Sequence, residues 1–249
     1  MITDPFFYLC AIPAVILFGI AKGGFGGTLS LLAVPLLSLA VPPPQAAAIM
    51  LPILCTMDLV AVKKYWGQWD INHLRRLLPA SVIGITMGAL TFSHLPEAGI
   101  RILIGATALL FVLQRLTQRW RSSSKSTPSW SATLWGSIAG FTSFGIHAGG
   151  PPLSIYLLQQ KLSPKIYMGT SSAFFIATNY LKLIPYSLLG QFSTANLETS
   201  LALLPIAPLG VLLGYWLLER IQPALFYRII MIFLFFTGLK LITEGLQQW

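Results

Sequence analysis

Charge is what this chain has least of: 9% of its 249 residues are Asp, Glu, Lys or Arg, where a soluble domain carries roughly 25%. So few charges cannot cover a soluble globule of this length. With 55% apolar residues and a mean hydropathy of +0.74, the composition is that of a polytopic membrane protein. Acids are scarcer still, 7 against 16 Lys and Arg. The formal charge of +9 does not point to nucleic acid, because the cations sit in short loops rather than along one face or tail. Cysteine is nearly missing as well. Cys10 and Cys55 both fall inside apolar stretches, where a thiol behaves as a small hydrophobe, so neither a disulfide framework nor a metal site is expected. No cofactor is implied. No polar stretch approaches the roughly 50 residues that a separate soluble domain needs. A cleavable leader is not expected either: Asp4 stands where a signal peptide is basic, and residues 5–21 run into a glycine cluster without a small-residue cleavage pattern.

What is there is said twice. Ala21-Lys22-Gly23-Gly24-Phe25-Gly26-Gly27-Thr28-Leu29-Ser30 interrupts one apolar region, and Gly145-Ile146-His147-Ala148-Gly149-Gly150-Pro151-Pro152-Leu153-Ser154 interrupts another. Gly67-Gln68-Trp69 returns as Gly190-Gln191-Phe192, and Leu78-Pro79 with Gly84 and Gly88 returns as Leu204-Pro205 with Gly210 and Gly214, at separations of 123 to 126 residues. Apolar stretches run over 5–21, 27–40, 45–62, 77–93 and 99–117, then over 131–145, 152–160, 166–189, 199–218 and 224–243. The expected fold is therefore an all-α polytopic membrane protein with repeat 1 at 1–118, a basic cytoplasmic linker at 119–130 and repeat 2 at 131–249. Crossing about 30 Å of hydrocarbon takes roughly 20 helical residues, so 27–40 and 152–160 read as half-helices after the glycine breaks. The first two segments of each repeat are either a re-entrant hairpin or two tilted crossings.

Loop charge sets the orientation. With the loop from Lys63-Lys64 to Arg75-Arg76 in the cytoplasm, alternation puts twelve of the sixteen cations inside. Both termini are then external in the cell inner membrane. Each repeat makes an odd number of crossings, so the two repeats are inverted relative to each other, an architecture of secondary transporters with the substrate near the interface of the halves.

Few polar residues lie within the apolar stretches. Lys22 either snorkels to the interface or neutralises an anion. The glycines Gly23, Gly24, Gly26 and Gly27, and Gly149 and Gly150 in the second break, serve either close helix packing or anion binding at the half-helix N-termini. There Thr28, Ser30 and Ser154 would add hydroxyls. His147 either donates to a substrate oxygen, relays a proton or bonds an unwound carbonyl. Asp58, the one acid expected inside an apolar stretch, pairs with Lys22 or Lys182, or carries a coupling proton. Asn179 occupies nearly the matching place in the other repeat, and its spacing from Lys182 puts both on one helix face.

Two glycine-rich breaks, each followed by a short apolar stretch and a proline-containing loop, a Gly-Gln-aromatic turn and a Leu-Pro helix with small-residue spacing resemble the TauE/SafE family of sulfite exporters over essentially the whole length. The resemblance implies a bacterial-type integral membrane protein, not an enzyme, that moves small anions such as sulfite or sulfoacetate out of the cytoplasm. By position it carries over Lys22 with Gly23 to Gly27, the Gly145 to Gly150 break, and Asn179 with Lys182. Expected partners are a small anionic substrate, the lipid bilayer and, as one option, further copies of the chain. The competing readings are a thiol/disulfide electron carrier using Cys10 and Cys55, and a passive anion channel.

Overall fold

A computed structural model describes residues 1–24, 33–117, 130–218, 220 and 223–248, and its described residues form helices and no strand. The first half holds α1 (Pro5–Gly24), α2 (Ala33–Leu37), α3 (Pro43–Lys64), α4 (Ile71–His94) and α5 (Glu97–Thr117). The second holds α6 (Trp130–Ile146), α7 (Gly150–Gln159), α8 (Pro164–Leu188), α9 (Thr194–Leu203), α10 (Ile206–Leu218) and α11 (Pro223–Gln247). Nearly all of the linker expected at 119–130 lies outside the described residues.

Helix starts follow local chemistry. Proline stands in the first turn of α3, α7 and α8, where an N–H would have no helical partner anyway. The Asp70 carboxylate accepts from the N–H groups of Asn72 and His73 at the start of α4. Ser163 and Ser193 cap α8 and α9 in the same manner. Because the capped first turn of α4 is polar, the helix begins at Ile71, ahead of the apolar stretch that starts at 77. The stretch 199–218, which reads as one segment, is two helices bent by 42°. Pro205 has no N–H to bond the carbonyl four residues back, and the chain turns there through tighter bonds, Leu204 N–H to Leu201 O at 3.3 Å and Ala207 N–H to Leu204 O at 3.1 Å.

Among the described residues α1, α3 and α4 are long and apolar enough to cross a membrane, and the bent pair α9–α10 passes the same test only when taken together, as a broken span or a re-entrant loop. Burial is uneven. In the most apolar window of α3 72% of residues are buried, against 33% in α4, so α3 is central and α4 peripheral. Leu90, Leu110, Leu209 and Phe236 are among the large apolar side chains left exposed, as lipid contact requires.

Long helices pair across the halves: α1 with α10, α4 with α6, α5 with α11, and α3 with α8 in the middle. Missing side chains permit these approaches. A Cβ at Gly84 would lie 1.9 Å from Ser137 O on α6, and one at Gly140 would lie 2.2 Å from Ser81 O on α4. On the other side of the bundle, a Cβ at Gly19 would lie 2.6 Å from the backbone of Gly210, and one at Gly23 would lie 2.2 Å from Val211 O. Glycine faces of this kind let membrane helices come into backbone contact.

Candidate functional site

The ends of α1 and α6 meet the middles of α3 and α8, and the polar residues of all four converge in an apolar interior. Lys22 is 5% exposed and Asp58 1%. The Lys22 ammonium donates to Asp58 Oδ1, and Asn179 Nδ2 donates to Asp58 Oδ2 at 2.5 Å. Both carboxylate oxygens are thereby engaged, and the Lys22 charge is cancelled locally. The rings of Phe175 and Phe18 flank the ammonium, with centroids at 5.2 and 5.7 Å.

Lys182, on α8 one turn beyond Asn179, is fully buried. Its three N–H donors go to Ser143 O at 2.8 Å, Ser143 Oγ at 3.1 Å and His147 Nδ1 at 2.8 Å. All three acceptors are uncharged groups. Among the described residues no carboxylate forms an ion pair with Lys182. His147 Nε2 lies 2.9 Å from Ala47 O. A carbonyl only accepts, so Nε2 carries the hydrogen, and Nδ1, facing an ammonium, is the acceptor of a neutral ring. A left-handed backbone at His147, φ 53, turns the side chain back from the break into this position. The ring stacks on Tyr186 with 21° between planes, and the Tyr186 hydroxyl donates to Phe144 O at 2.6 Å.

Two small cavities border the described part of the site. One cavity of about 10 Å³ touches Lys22, Ser143, His147 and Asn179, and another of about 10 Å³ touches Lys22, Asp58, Ser171 and Ser172. Each has room for about one water molecule. Phe175 borders both. A larger cavity of about 220 Å³ opens on the far side of Tyr186 and Phe144, reaching Pro44, Ser93 and Gln191.

Of the residues expected from sequence, Lys22, Asp58, His147, Asn179 and Lys182 come together. Gly23 and Gly24 are buried, Gly23 in the α1–α10 contact. A Cβ at Gly149 would meet Ala139 O at 2.8 Å, so this glycine lets the break lie against α6. Gly150 opens α7, where Pro151 and Pro152 remove two of the N–H groups that a helix N-terminus presents. Ser154 Oγ accepts from the Tyr167 hydroxyl at 2.9 Å, apart from the ammonium groups. Gly26, Gly27, Thr28 and Ser30 lie outside the described residues. Sequence reasoning missed Ser143, the Ala47 carbonyl and Tyr186. A signal for Ser143 exists: it stands 121 positions after Lys22, the spacing that also relates Asp58 to Asn179.

A buried, charge-bearing centre where two broken helices meet two continuous ones suits a carrier, and the family comparison agrees. The model of the sulfite exporter TauE/SafE family matches residues 11–241. The chain belongs to this family. No curated protein and no solved structure matches it. TauE/SafE membership makes the protein a membrane transporter of the sulfite exporter kind, and the match spans the Lys22 and Lys182 clusters.

Proposed function

We propose that the protein is a secondary carrier that exports a small sulfur oxyanion or sulfonate, sulfite or sulfoacetate, across the cell inner membrane together with protons. The observation that carries this reading is Lys182: a buried ammonium whose three donors are met by neutral acceptors. An uncompensated charge in an apolar interior is costly, and an incoming anion removes that cost. Lys22 is neutralised by Asp58 and lines both small cavities, so its part is to hold the polar lining open beside Phe175. Asn179 and His147 complete the described part of the proposed site.

Carrier action, rather than a channel, is the reading that the two small cavities beside Phe175 favour, each of about 10 Å³ and too small for sulfite. The crosswise pairing supports repeats of opposite orientation that rock against each other, because α1 meets α10 as α6 meets α4. Gly67 and Gly190, in the two Gly-Gln turns, have matching φ values of 73 and 65. In this reading residues 1–118 and 131–249 are the repeats, and both termini are external.

Flux in proteoliposomes tests the proposal. Purified protein is expected to exchange external labelled sulfite for internal sulfite or sulfoacetate, and not for chloride. Equal exchange of sulfite and chloride, or rates beyond a carrier's, would replace it with an anion channel.

A further inference from the structure

Among the described residues, His147 is a group of the centre that can gain a proton without breaking the Lys22–Asp58 pair. Asp58 has both oxygens engaged, by Lys22 and Asn179, and protonating it would strand the Lys22 ammonium in the interior. The imidazole differs. Its Nε2–H is committed to Ala47 O, and its Nδ1 lone pair is held by the Lys182 ammonium. When that ammonium turns to an anion, Nδ1 becomes a free base beside a negative charge.

Charge balance then fixes when a proton is needed. Lys22 and Asp58 cancel, so with Lys182 protonated the centre carries a single positive charge. A singly charged anion brings the centre to neutrality. A doubly charged one leaves an excess negative charge, which one proton on Nδ1 removes, and the resulting imidazolium can donate N–H to an anion oxygen. We propose that His147 carries the proton that accompanies a doubly charged substrate, and that singly charged substrates cross without one. The proton comes from water on the side of entry, forms the Nδ1–H bond, and returns to water on the other side as Lys182 moves back. The titratable groups around the ring are Lys182 and Tyr186 on α8 and Lys22 on α1, with Asp58 on α3 paired to Lys22 and Cys55 on α3 in one apolar cluster with Tyr186. Of these, only Lys182 contacts Nδ1 among the described residues.

This inference rests on the anion-carrier reading, and its test separates the two. Protein in liposomes with the membrane potential clamped at zero is given a one-unit pH gradient and either methanesulfonate, with one fixed charge, or sulfoacetate, with two at neutral pH. Sulfoacetate is expected to accumulate about tenfold, the ratio of proton concentrations across one pH unit, and methanesulfonate to equilibrate regardless of the gradient. His147→Gln keeps an amide that can face both Ala47 O and Lys182. It is expected to exchange both anions at a reduced rate and to lose sulfoacetate accumulation. A gradient that drives both anions equally, or neither, overturns the proposal, as does accumulation that survives His147→Gln. Absence of any sulfonate flux in the unsubstituted protein contradicts the carrier reading, and this inference with it.

Discussion

Replacing Asp58 with alanine strikes the best-buried ion pair from one side. The carboxylate accepts from the Lys22 ammonium and from Asn179 Nδ2 in an environment where both acid and base are at most 5% exposed. Removing one partner of a buried pair costs about 3–5 kcal/mol, and leaving the Asn179 amide without its acceptor adds about 1–3 kcal/mol. For a chain of this length each kcal/mol shifts the melting midpoint by about 2–4 °C, so Asp58→Ala is expected to melt on the order of 10–20 °C lower. The doubly substituted Lys22→Met, Asp58→Leu protein removes both charges at similar volume, and should recover most of that loss. Thermal unfolding in detergent, followed by tryptophan fluorescence, reads both. A midpoint for Asp58→Ala within about 2 °C of the parent would refute the buried-pair reasoning, and so would a double variant as unstable as the single one.

Glycine substitutions should divide by cause. Gly84→Ala puts a Cβ against the Ser137 carbonyl of α6 and is expected to cost about 1–3 kcal/mol by overpacking, seen as a lower melting midpoint. Gly67→Ala has nothing within 4 Å and only its φ of 73 to strain it, so the same assay should show about 1 kcal/mol, with Gly67→Asn closer to the parent. Cys10 and Cys55 are free and buried. The Cys10→Ala, Cys55→Ala protein is therefore expected to carry sulfite at the parent rate, and a loss of flux would revive the thiol-carrier reading.

Helices were legible in the sequence because hydropathy reports burial in lipid directly, and most apolar stretches lie within single helices. The differences are physical. α4 begins on a polar turn capped by Asp70, ahead of the apolar stretch it contains, which hydropathy does not register; the described part of the stretch 27–40 is helical only over Ala33–Leu37; and α9 parts from α10 at Pro205, a break that a window average smooths over. Small-residue spacing on α4 and α10 and the glycines of the two breaks allowed close helix contacts but did not name their partners, since a glycine face accepts any backbone of suitable shape. At the site, the buried polar residues stood out against apolar neighbours. Which lysine Asp58 would choose did not, because that depends on how α1 and α8 pack around α3. The Lys182–His147 contact is a product of the left-handed turn at His147, a conformation the residue type does not announce.

Lys182 is the charge that the proposed anion compensates. Sulfite efflux from proteoliposomes measured for Lys182→Met and Lys182→Arg tests it most directly. Methionine keeps the stem and removes the charge, so efflux should fall about a hundredfold, as loss of roughly 3 kcal/mol of anion stabilisation requires, while arginine should restore part of it. Efflux from Lys182→Met at the parent rate, in protein that melts normally, would contradict the account.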